Sequence, residues 1–119
     1  MQNIDLSFLE DQAEEASQLG QEWVERYQAY RRLMEGQKTF ISDIKNRIAS
    51  EVESKGRAVT EQKLERLALA NPEYVKFTET LCQAEAASLK AKIKFETAKN
   101  KFEAKRSWVS LEKARMNLV

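Results

Sequence analysis

Residues 9–48, LEDQAEEASQLGQEWVERYQAYRRLMEGQKTFISDIKNRI, decide the fold. Within them Leu9, Ala13, Ala16, Gly20, Trp23, Tyr27, Tyr30, Met34, Gln37, Ile41, Ile44 and Ile48 recur at alternating spacings of four and three. Such spacing keeps side chains on one face of an α-helix, and sustained over the whole stretch it predicts a coiled-coil-like seam. Leu19, Leu33 and Phe40 widen the seam on one flank. Arg31, Lys38 and Lys45 repeat every seven residues on the other, which calls for acids at matching positions of a partner helix. Gly20 and Gln37 are expected to weaken the seam locally, and a buried glutamine there would fix register.

Working outward, Ser7-Phe8-Leu9-Glu10 reads as a capping box that opens this helix. Ser54-Lys55-Gly56-Arg57 ends it, because Gly56 can adopt the left-handed conformation of a helix C-cap. Thr60 caps a brief helix in TEQKLERLALA. Asn71-Pro72-Glu73 then supplies a side-chain cap, a proline at the first helical position and an acid in the first turn. From Pro72 a last helix carries Phe77, Leu81, Ala84, Ser88, Ala91, Phe95, Ala98 and Phe102 on one seam, continuing less regularly through Val109 and Met116. Leu89, Ile93, Ala104 and Leu111 fall off that seam at about 100° per residue. A helix apolar on two sides needs two neighbours, and the second is expected to be another subunit.

The fold class that follows is all-α: an elongated, coiled-coil-like and oligomeric helical hairpin of two long helices with a short connecting helix. Residues 1–119 read as a single helical domain, with a lead at 1–7, a long helix at 8–54, a connection with a short helix at 55–71, and a long helix at 72–118. The predicted helix and oligomer interface comprises Trp23, Tyr27, Tyr30, Met34, Ile41, Ile44, Ile48, Phe95 and Phe102.

Composition agrees with this reading. A third of the chain is charged and 42% is hydrophobic, while three glycines and one proline are too few for a sheet protein with frequent turns. With no histidine and only one cysteine, Cys82, the chain lacks the commonest general base and cannot build a Cys-rich zinc site or an intrachain disulfide. No phosphate loop or nucleophile elbow occurs, so neither enzyme activity nor a cofactor or metal is expected. The start, MQNIDLSFLE, lacks signal-peptide character, and no stretch approaches a membrane span. No membrane association and a reduced, cytoplasmic location are expected.

Net charge is only +1, but its distribution is uneven. Residues 1–30 hold seven acids and one base, and the remainder is basic. Along KAKIKFETAKNKFEAKRSW (90–108), Lys92, Lys99, Arg106 and Lys113 form a ridge interleaved with Glu96 and Glu103, which predicts a solvated face laced by local pairs. Lys90, Lys94, Lys101 and Lys105 have no acid three or four residues away, and Trp108 falls near their strip. Cations for phosphates beside a ring on which a base can stack make a candidate single-strand surface. The other reading is that these lysines meet acids on another helix and that Trp108 is buried against a subunit. A second candidate cluster is Lys45 and Arg47 with Lys55 and Arg57, at one helix end.

The stretch RAVTEQKLERLALANPEYVKFTETLCQAEAASLKAKIKFETAKNKFEAKRSW, about half the chain, resembles the UvsY-type recombination mediators of tailed phages and mobile elements. The shared pattern is a long helix, a short connection, a Thr-Glu opening, a polar-Pro-acid-Tyr restart and a long Ala/Glu/Lys helix ending in basic and aromatic residues. Lys45-Asn-Arg47 is similar to the family's Lys-x-Arg element near the end of the first helix, which contacts single-stranded DNA. The resemblance implies an oligomeric, non-enzymatic protein that binds single-stranded DNA and helps load a RecA-like recombinase where single-strand binding protein would exclude it, in a bacterial host cell. Its acidic first thirty residues depart from a simple DNA-binding pattern. The competing expectation is a helical scaffold, assembly chaperone or host-factor inhibitor that binds protein alone.

Overall fold

The computed structural model describes residues 6–118. They form three helices, α1 (Ser7–Ser54), α2 (Glu61–Leu69) and α3 (Pro72–Asn117). No strand occurs among the described residues, and the chain is an all-α helical hairpin.

The helix boundaries follow from local chemistry. At the end of α1 the Gly56 N–H donates to the Glu53 carbonyl at 2.9 Å and the Arg57 N–H to the Val52 carbonyl at 3.1 Å. Gly56 has φ of 71°, so this is the paired-bond, left-handed helix stop that a side chain at that position would strain. Thr60 caps α2, its hydroxyl accepting from the Lys63 N–H at 3.2 Å. Asn71 caps α3 through Oδ1, which accepts from the Glu73 N–H at 2.9 Å, with Pro72 at the first helical position. The start of α1 is set at Ser7, one residue earlier than the capping pattern predicts.

Two compact units arise along these helices. In the unit Tyr27–Ala86, α1 and α3 meet through aromatic rings. Phe40 stacks on Phe77 at 4.5 Å between centroids, and Tyr74 lies 6.4 Å from each of them. Gln37, on the predicted seam, donates to the Tyr74 hydroxyl at 3.1 Å, so its polar end is satisfied by a named partner. Ile44 is fully buried, and Ala68 brings α2 against this core.

The other unit pairs α1 up to Arg26 with α3 from Ala87. Here the packing atoms are small: Ala16, Ser88 and Ala91 are buried, with Val109 further along. Trp23 stacks on Phe95 with centroids 5.6 Å apart, and a Cβ on Gly20 would come within 3.0 Å of the Phe95 ring. Gly20 therefore permits this close approach, a role that its seam position alone did not reveal.

Most of the predicted α1 seam is packed, with Ala16 and Ile44 buried, and its exposed members include Tyr27 and Met34. Leu19, Leu33 and Phe40 face inward with Ile44, whereas Tyr27 and Met34 each remain 44% exposed. Trp23, Tyr30, Ile41, Ile48, Phe95 and Phe102 are half-buried.

Candidate nucleic-acid interface

The α3 strip lies on a helix throughout, whereas in the other cluster Lys45 and Arg47 lie on α1 and Lys55 and Arg57 just past its end; their surroundings differ. In the cluster near the end of α1, Arg47 makes a two-pronged contact with Glu73, at 2.6 Å and 3.3 Å. The Arg47 hydrogen bond, and then its charge, hold the Glu73 carboxyl below the usual glutamate range; the same contact pushes the Arg47 guanidinium up. Lys45 reaches Glu61 of α2 at 3.7 Å, and Lys55 reaches Glu51 at 3.6 Å. Among the described residues Arg57 makes no ion pair. Two of these acids, Glu61 of α2 and Glu73 in the first turn of α3, lie far from Lys45 and Arg47 in sequence, whereas Glu51 belongs to α1 itself.

The strip on α3 has no such partners. Lys90, Lys94, Lys101 and Lys105 are all exposed, and none makes an ion pair among the described residues. They span about 60° of the helix circumference at about 100° per residue, so their charges project from one side. Trp108 adjoins them and is 50% exposed. Shallow grooves lie along this side: Gln12, Glu15, Leu19, Ile93, Thr97 and Ala98 line one with Lys94 and Lys101, so an acid of α1 borders these two lysines without an ion pair, and Phe8 and Ala104 line another with Lys105 and Trp108. Chemically, this is a row of ammonium groups beside apolar and aromatic surface. It can bind a polyanion whose bases have faces to stack.

The neighbouring ridge departs from expectation. Neither Glu96 nor Glu103 makes an ion pair with Lys92, Lys99 or Arg106 among the described residues. Lys92 lies instead over the Trp23 ring, 5.8 Å from its centroid, a cation–π contact that helical spacing along one chain segment does not signal. Beside the lysine strip the structure also exposes large apolar side chains: Leu89 at 53%, Ile93 at 64% and Leu111 at 66%.

Cys82 is exposed and unpaired, and no group of three His, Cys, Asp or Glu side chains among the described residues is arranged to hold a metal ion. No helix among the described residues is long and apolar enough to cross a membrane. No protein-family model matches the chain, and neither a curated protein nor a solved structure matches it.

Proposed function

We propose that this protein is a non-enzymatic, oligomeric single-stranded-DNA-binding accessory protein, of the kind that the UvsY-type recombination mediators represent, and that it helps load a RecA-like recombinase. The observation that carries this reading is the strip of four exposed lysines on α3, free of acid partners among the described residues and bordered by Trp108. Its mechanism is positioning. Phosphates lie against Lys90, Lys94, Lys101 and Lys105, each contact weak and salt-sensitive, while bases stack on Trp108 and adjoining apolar surface. Lys45, Arg47 and Lys55 contribute less, because acids of the same chain already occupy them; Arg57 remains available at that end of α1. The acidic first thirty residues face protein partners, the recombinase or single-strand binding protein, rather than DNA.

The test is binding of a labelled single-stranded oligonucleotide, followed by fluorescence anisotropy beside a duplex of the same sequence. Preference for the single strand, lost when Lys90, Lys94, Lys101 and Lys105 are all replaced by glutamate, is the expected result. Unchanged binding by that variant removes the reading.

A second reading has its own observation. Leu89, Ile93 and Leu111 are exposed along α3, and apolar surface of this kind suits a protein partner. In that reading the chain is a scaffold, assembly chaperone or host-factor inhibitor. Absence of oligonucleotide binding at low salt favours it.

A further inference from the structure

The outer face of α3 in the unit that begins at Ala87 combines three features. Leu89, Ile93, Ala104 and Leu111 form an exposed apolar strip about 60° wide by helical angle. One edge of the strip carries Lys90, Lys94, Lys101 and Lys105; the other carries Glu96 and Glu103, and neither row is ion-paired among the described residues. Near the middle of the strip stands a single exposed amide, Asn100. We propose that this face is a self-association seam, on which α3 of a second copy packs in parallel and in register.

Charge decides both occupant and direction. In a parallel helix pair, opposite flanks face each other, so the lysine edge of each copy meets the glutamate edge of its mate. In an antiparallel pair like flanks meet, lysines against lysines, which is repulsive. The parallel arrangement places Lys101 of each copy opposite Glu96 of the other, and it sets Asn100 against the same residue of the second copy. A lone asparagine in an apolar seam penalises shifted registers, because any shift leaves it facing a hydrocarbon side chain. Lys94 and Lys105 lie further round the helix and remain at the rim. The seam draws Lys101 away from the proposed strand surface and leaves Lys94 and Lys105 to it, and its tests need no nucleic acid.

The primary experiment is analytical ultracentrifugation of the full chain, with circular dichroism as a control for folding. Wild type is expected at twice the 13.8 kDa chain mass or a multiple of it. Ile93→Glu with Leu111→Glu, both at well-exposed positions, is expected to keep its helicity and to weaken association by at least roughly tenfold. Lys101→Glu is expected to weaken it less, and adding Glu96→Lys to restore it. Direction is read by cross-linking: in a Cys82→Ser background, Leu111→Cys should form a disulfide-linked dimer under mild oxidation. A monomeric wild type, or association unaffected by the Ile93 and Leu111 changes, overturns the proposal. So does an antiparallel outcome, in which Leu111→Cys protein links only to Leu89→Cys protein.

Discussion

The unit Tyr27–Ala86 and the unit that joins the start of α1 to α3 beyond Ala87 share the two long helices, and their basic clusters differ in how they are partnered. In the first, bulky rings fill the helix interface, and Lys45, Arg47 and Lys55 each find an acid in the same chain. In the second, the interface is closed mainly by small residues around one Trp23–Phe95 stack, while four lysines, two glutamates and several large apolar side chains look outward. The basic cluster of the first unit is largely paired within the chain, although Arg57 makes no ion pair among the described residues and Tyr27 and Met34 stay exposed there. The lysine strip of the second unit makes no ion pair among the described residues, which is why the functional proposal rests on Lys90 to Trp108 and not on the basic cluster at Arg47.

Substitutions can break this contrast, and the largest effect belongs to the unit Tyr27–Ala86, which holds the fully buried Ile44. Ile44→Ala removes a fully buried side chain and should destabilise the fold by about 3 kcal/mol in urea denaturation. Gly20→Val, in the other unit, drives methyl groups into the Phe95 ring and should cost about 1–3 kcal/mol. Gly36→Ala meets nothing within 4 Å and should instead raise the thermal midpoint, by the equivalent of roughly 0.8 kcal/mol of helix propensity. The two glycines thus separate close packing from mere permissiveness.

Caps come next. Thr60→Ala should lower stability by about 1 kcal/mol, since the Lys63 N–H loses its acceptor. The smallest effect is electrostatic. Because Arg47 depresses the Glu73 pKa, the pair stabilises the folded chain above the ordinary glutamate range, and that contribution disappears as pH falls through the folded-state value. Glu73→Gln should therefore be slightly less stable than wild type at neutral pH, with the gap closing in acid, as thermal melts across a pH series would record.

Much of this architecture is legible in the sequence because it is written locally. Thr60, Asn71-Pro72 and Gly56 act on backbone groups within a few residues, and each does what its type and position predict. The α3 seam from Phe77 to Phe102 also turns inward as its spacing predicts. Two things escape a one-dimensional reading. Burial along a predicted seam is uneven, so Tyr27 and Met34 stay exposed while Trp23, Tyr30 and Ile41 on the same seam are half-buried. Cross-helix partners such as Arg47 with Glu73, or Lys92 with Trp23, depend on which turns of two helices come to lie side by side. The lysine strip was legible for the converse reason: an acid missing from three and four residues away is itself a local property.

The most direct test of the open lysine surface is the salt dependence of single-strand binding, comparing wild type with Lys94→Ala and Lys105→Ala, the two rim lysines that the proposed seam leaves free. Each phosphate contact on a single strand contributes about 0.7 to the slope of log affinity against log salt concentration. Binding that weakens steeply with salt in wild type, with a slope shallower by about that increment for each lysine removed, is the predicted result. A flat salt response, or slopes unchanged in both variants, would contradict it and leave α3 as a surface for protein alone.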